Sequence, residues 1–158
     1  MSARHRKHPV HFAPLESGNR PVVIFLTACT RNRRPLLATP EAHAAIVDSW
    51  SRATHWLVGR YVIMPYHLHL FSSPGTIPAR PFNLWMQYWQ NLVTRAWPRP
   101  EEKPIWQKEY WDRQLRSGDS YGQKWAYVVN NPVRHQLCAD PGDWPYQGEL
   151  NSLYWHNR

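Results

Sequence analysis

The stretch YVIMPYHLHLFS, Tyr61–Ser72, places two β-rich runs on either side of a single proline, and its reading sets the fold. Tyr61–Met64 completes a strand that begins near His55, Pro65 turns the chain, and Tyr66–Ser72 returns as the next strand. The two predict a hairpin. Side chains alternate along a strand, so His67, His69 and Phe71 project from one face while Leu68 and Leu70 project from the other. The leucines anchor the strand in a core. The histidines, about 7 Å apart along the backbone, can lean together on one divalent cation or lie on a solvated sheet face. The stretch by itself supports both readings.

Outward from this hairpin, VVIFLTACT (Val22–Thr30) reads as a buried strand bounded by Pro21 and the charged loop RNRR, Arg31–Arg34. Thr39, Pro40 and Glu41 supply an N-cap, a first-turn proline and a first-turn acid. Ala42, Ala45, Ile46, Trp50 and Ala53 then share one helical face. Gly59 predicts a break or bulge in the strand His55–Met64. After the linker GTIPARP, Trp85, Met86, Trp89, Leu92, Val93 and Ala96 keep helical spacing from Phe82 onward. PRPEEKP is a loop, Ile105–Arg116 an edge-like strand or extended segment, and a third helix runs from about Asp119 to about Asn130, stopped by Pro132. The remainder, with DPGDWPYQG, reads as loop and tail. The order is strand, helix, strand, strand, helix, strand, helix. It predicts an α+β fold: a ferredoxin-like antiparallel sheet with helices packed on one face.

Length and composition bound the rest. The 158 residues are read as one domain, with a basic arm at about 1–19 and a tail at about 148–158. No apolar run approaches the roughly 20 residues that span a bilayer. No apolar h-region follows the basic N-terminus directly, so a cytoplasmic protein with no membrane partner is expected. Cys29 and Cys138 form no CxxC pair, which excludes a zinc ribbon or a disulfide framework. Lys and Arg outnumber Asp and Glu by 19 to 11, a balance that favours a polyanion such as nucleic acid. Of the 10 Trp, most must be core, while a minority can serve as stacking platforms for unpaired bases. An RRM-type RNA binder is disfavoured, since its signature run is missing.

The third helix carries Tyr127 and Asn131 at i and i+4, hence on one face. The plain reading is a tyrosine at the core edge and an asparagine capping a helix before proline. The chemical reading joins them to the histidines. Two imidazoles and an amide oxygen can hold Mg²⁺ or Mn²⁺, and a phenol beside an electropositive surface can exchange phosphodiesters.

Several pieces occur together and in order: FLTACTRNRRPLL, YVIMPYHLHLF, IWQKEYWDRQLR, YVVNNPVRHQL and DWPY. On these motifs the chain, over roughly residues 20 to 147, resembles the REP-associated tyrosine transposases of the HUH superfamily. The resemblance implies a ferredoxin-like, HUH endonuclease-like fold with the histidines on a central strand. It implies His67 and His69 as metal ligands, Asn131 as a contributor to the metal site, and Tyr127 as nucleophile. The implied reaction is attack on single-stranded DNA at palindromic hairpins, leaving a 5′-phosphotyrosine and a free 3′ hydroxyl.

Two departures from the family pattern stand out. Tyr66 replaces the usual Asn or acid before the first histidine, and alternation points it away from the metal face. Gln87 and Gln90 replace a lysine frequent in the second helix, leaving Arg95 as a substitute base there. The DNA-binding candidates are Arg4, Arg6 and Lys7 on the arm, Arg31, Arg33 and Arg34 after the first strand, and Arg95. Arg113 and Arg116 can equally be structural, with Arg113 paired to a carboxylate. Tyr154 is a rival nucleophile. A monomer using its own tyrosine is expected, and the alternative is a hairpin-DNA binding protein that does not cut.

Overall fold

The computed structural model describes residues 22–116 and 119–153. Arg4, Arg6, Lys7 and Tyr154 therefore lie outside the described residues. The elements run β1 (Ile24–Thr30), α1 (Pro40–Arg52), β2 (Trp56–Ile63), β3 (His67–Pro74), α2 (Phe82–Ala96), β4 (Trp106–Gln114) and α3 (Tyr121–Val129), in the order read from the sequence. Two short elements follow, α4 (Asn131–Arg134) and β5 (Gln147–Glu149). Local chemistry sets the helix start as expected: the Thr39 hydroxyl accepts from the Ala42 amide at 3.1 Å, ahead of Pro40.

The sheet order is β4-β1-β3-β2-β5, with every neighbouring pair antiparallel. The first six elements thus form the ferredoxin-like β-α-β-β-α-β arrangement, and β3 occupies the centre. The Met64 amide donates to the His67 carbonyl at 2.8 Å, closing a two-residue turn over Pro65 and Tyr66. Val58 pairs with Ser72 but Tyr61 with Leu70, so β2 carries one extra residue around Gly59 and Arg60. Gly59 suits this bulge because a Cβ there would lie 2.6 Å from the Leu153 side chain and 2.9 Å from the Tyr121 hydroxyl.

Alternation divides the core in two. Leu26, Ala28, Leu68 and Leu70 pack with Ile46 and Trp50 of α1 and with Trp85, Met86, Trp89 and Val93 of α2. On the opposite face Val62 and Phe71 pack with Tyr121 and Val128 of α3, and with Trp144. The expectation of helices on one face holds for α1 and α2; α3 takes the other face, the one that bears the histidines. The reason is Phe71, an odd-register neighbour of His69 that needs a cover and receives the Tyr121 edge at 4.7 Å.

Two details differ from the sequence reading. Pro132 has no amide to continue the helical ladder, so α3 ends at Val129 and Asn131 opens the separate α4. The segment read as loop and tail contains β5, which pairs through Gln147, Gly148 and Glu149 with Arg60–Val62 of β2. Three polar residues are too few to show a period of two. No helix among the described residues is long and apolar enough to cross a membrane.

Candidate active site

His67 and His69 face outward from the central strand, opposite Cys29 and Thr27 of β1 respectively. Their ring centroids are 4.9 Å apart at an interplanar angle of 74°. The sheet supports His69 from two sides. Phe25 stacks on its ring at 5.3 Å, and the Thr27 hydroxyl lies 2.9 Å from its Nδ1 in a hydrogen bond. Thr27 thus orients the imidazole and leaves Nε2 as the nitrogen it does not engage. Burial, then the electrostatic influence of the neighbouring His67, Arg134 and His135, hold the His69 pKa down at about 3. The ring is therefore neutral near pH 7, the state in which imidazole donates a lone pair to a metal.

The other half of the site comes from the α3–α4 junction. Tyr127, in the last turns of α3, is 68% exposed. Its ring lies 4.0 Å beneath the Arg134 guanidinium carbon, and Arg134 Nη1 donates to the Tyr127 carbonyl at 2.6 Å. Arg134 Nη2 donates to Asn131 Oδ1, and Asn131 is otherwise buried. Tyr127 and Asn131 were expected on one continuous helical face. The break at Asn130 separates them, and a single guanidinium joins them again.

His135 was not singled out by the sequence reading. Directly after α4, it brings its ring to 6.3 Å from that of His67. Its only sequence signal is its place one residue beyond the NPVR run.

Tyr66 also departs from its expected position. It belongs to the turn before β3, where strand alternation does not apply, and its ring lies 5.0 Å from that of His67. The donor set fits a divalent cation in part. The imidazole pair is adjacent, and one member is held neutral. Among the described residues, however, no group of three His, Cys, Asp or Glu side chains could hold a metal, and the third ligand that the resemblance implies is the Asn131 amide. That oxygen has two lone pairs, one of which already accepts from Arg134.

The basic candidates separate by position. Arg31 and Arg33 are exposed at the end of β1. The Arg34 guanidinium is committed to the backbone: Nε donates to the Arg31 carbonyl at 3.2 Å and Nη2 to the Pro104 carbonyl. Arg95 ends α2. It lies with Gln87 and Gln90 on the side of the sheet away from the histidines, so this helix is not a source of a base at the site. Arg113 pairs with Asp119 at 3.6 Å, which fits its structural reading.

The fold and site together define a ferredoxin-like α+β domain with paired histidines on its central strand and an exposed tyrosine at the neighbouring helix junction. No family model matches the chain. It is 27% identical over 126 residues to the REP-associated tyrosine transposase of Escherichia coli (strain K12), covering 77% of this chain and 73% of that protein. A Haemophilus influenzae protein described with the same family name is 27% identical over 97 residues, 53% of each chain. The solved structure of a REP-associated tyrosine transposase bound to a REP hairpin superposes with a TM-score of 0.62 at 23% identity, covering 93% of this chain and 82% of the other. The resemblance to REP-associated tyrosine transposases, read first from the motifs, is borne out in sequence and in fold.

Proposed function

We propose that this protein is a metal-dependent, single-stranded DNA endonuclease and strand transferase acting on palindromic, REP-type hairpins. The observation that carries the reading is the His67–His69 pair, with His69 kept neutral, approached by an α3–α4 junction that also carries the exposed Tyr127. The transposase relatives and the hairpin-bound structural neighbour support the substrate class. The net charge of +8 suits a polyanion.

In this reading the Tyr127 hydroxyl oxygen attacks a DNA phosphorus atom. A phosphorus–oxygen bond to Tyr127 forms, the bond to the 3′ oxygen breaks, and the phenolic proton is lost as the leaving 3′ oxygen gains one. The product is a 5′-phosphotyrosine and a 3′ hydroxyl. One phosphodiester replaces another, so the hydroxyl can reverse the step or another end can take its place without ATP. His67, His69 and Asn131 would hold Mg²⁺ or Mn²⁺, which supplies polarisation of a phosphate oxygen when bound. Arg134 holds the Tyr127 segment and places a fixed positive charge near the site. Arg31 and Arg33, with Arg4, Arg6 and Lys7, contribute phosphate contacts. A monomer using its own tyrosine is part of this proposal.

The test is incubation with labelled hairpin DNA carrying single-stranded flanks, with Mn²⁺ or Mg²⁺, followed by denaturing gels. A covalent adduct that disappears in Tyr127→Phe supports the enzyme, and an adduct that survives the substitution overturns the role of Tyr127. A second reading, a hairpin-DNA binding protein that does not cut, is favoured by one observation: Asn131 Oδ1 already accepts from Arg134. Tight binding in chelator, with no nicked product under either cation, would establish it.

A further inference from the structure

Next to the histidine pair, the structure carries a second feature, built on Tyr66, a residue that the proposed chemistry does not use. Tyr66 is half-buried at the tip of the β2–β3 turn, with its ring 5.0 Å from that of His67 and tilted by 56°. The Arg33 guanidinium carbon stands 5.9 Å from the centroid of the same ring. An arginine, a tyrosine and a proposed metal ligand thus succeed one another across the surface.

The backbone holds both outer members in place. The amide of the buried Thr30 donates to the Tyr66 carbonyl at 2.9 Å. The Leu37 amide donates to the Pro65 carbonyl at 2.9 Å. Arg33 follows Asn32, and both lie in the left-handed region, at φ 52° and 58°. That conformation is uncommon for arginine and persists where the surroundings impose it. Here the loop is pinned on both sides. The Arg31 amide donates to the Ile105 carbonyl at 2.9 Å, the Thr30 hydroxyl to the Arg34 carbonyl at 2.8 Å, and Arg34 spends its guanidinium on carbonyls. The outcome is an exposed Arg33 aimed at the Tyr66 ring.

The spacing differs from the other arginine–tyrosine pair. Arg134 lies over Tyr127 at 4.0 Å, whereas the Arg33 guanidinium carbon stands farther from its ring, 5.9 Å from the Tyr66 centroid. A planar base held between two groups needs about 7 Å, twice a contact distance of about 3.5 Å. Outward movement of the exposed Arg33 side chain would open that slot. An aromatic face with a cation beside it is the usual platform for a single-stranded base, and the guanidinium can stack on that base or bind its phosphate.

We propose that Arg33 and Tyr66 form a stacking subsite for one unpaired nucleobase, next to the phosphate that the histidine pair would engage. The subsite rests on the reading that this face binds single-stranded DNA. It fixes the position of the strand by a π face, so it is tolerant of base identity.

The test compares a fluorescein-labelled oligothymidylate of about ten nucleotides with an abasic oligomer of equal length and charge, by anisotropy in chelator. Wild type should prefer the thymidylate, and Tyr66→Ala and Tyr66→Leu should each weaken its binding about tenfold while leaving the abasic oligomer unchanged. Tyr66→Phe should restore the preference, since it keeps the ring. Arg33→Gln should weaken both oligomers and lower the salt dependence by about one counterion. Thermal melts confirm that each variant is folded, and Tyr66→Leu keeps bulk at the turn should the alanine variant fail. If wild type binds both oligomers equally well, the face binds DNA and the subsite is overturned alone. If wild type binds neither, the single-strand reading falls and the subsite falls with it. A preference retained in folded Tyr66→Leu would place the stacking elsewhere and overturn the assignment.

Discussion

The Arg134 guanidinium lies 4.0 Å over the Tyr127 ring and donates through Nη1 to the carbonyl of that same residue. One side chain therefore holds both the ring and the backbone of the proposed nucleophile. Its other nitrogen, Nη2, reaches Asn131 across the break between α3 and α4. A planar, five-donor fork can do this, and a lysine ammonium cannot reproduce it.

Arg134 is accordingly a positioning residue. Arg134→Ala should slow formation of the covalent DNA adduct by about 10- to 100-fold, the range expected when a reacting group is misplaced by about an ångström. Hairpin affinity should change by no more than about threefold, because one phosphate-range charge is lost. Arg134→Lys should recover affinity but little of the rate. Adduct kinetics and anisotropy on the same preparation separate the two, and equal losses in both would show that Arg134 acts only in binding.

The Thr27 hydroxyl holds the Nδ1 edge of His69 at 2.9 Å. Partners of this kind, one bond removed from a metal, commonly set affinity by about 10- to 100-fold. Thr27→Val keeps the shape and removes the bond, so the Mn²⁺ concentration giving half-maximal adduct should rise by about that factor. Thr27→Ser should behave as wild type. An unchanged Mn²⁺ dependence in the valine variant would argue against His69 as a ligand.

Acid should unfold the metal-free protein through His69. Its pKa is about 3 in the fold against 6.5 for the free side chain, with burial the main cause. Between those values the unfolded chain binds one proton more than the folded chain. The stability contributed by neutral His69 is then complete above about pH 6.5 and is lost as pH falls toward 3. At about 1.4 kcal/mol per pH unit the ceiling is about 5 kcal/mol. Urea midpoints measured in chelator across this window should fall more steeply for wild type than for His69→Gln. Parallel curves would show that the fold does not enforce the neutral ring.

Arg31 and Arg34 sit three residues apart and should answer differently. Arg31→Gln should reduce the slope of log affinity against log salt by about one, as loss of a phosphate contact does. Arg34→Gln should leave the slope unchanged, because its guanidinium bonds the Arg31 and Pro104 carbonyls. It should instead cost about 1–3 kcal/mol of stability, read as a lower melting temperature. A salt slope altered by Arg34→Gln would return that residue to the DNA-binding set.

Much of this architecture is local enough to be written in the chain. Thr39 and Pro40 start a helix by their own chemistry, Gly59 marks its bulge, and the alternation of His67, Leu68, His69 and Leu70 sorts ligand candidates from core. Those signals depend on neighbours within a few residues, so they survive without a partner surface. The motif order carried the family resemblance for the same reason. β5 was missed because three residues display no period, and pairing with Arg60–Val62 alone makes them a strand.

What the tertiary structure decided is how distant segments meet. Periodicity placed Tyr127 and Asn131 on one helix, but Pro132 breaks it, and their connection through Arg134 depends on side-chain geometry. The approach of His135 to His67, the side of the sheet on which Arg95 falls, and the Arg33–Tyr66 pair likewise follow from packing between separate elements. A sequence encodes the faces of its own strands and helices; which faces come together is settled only when Phe71 and the leucines beside the histidines are both buried.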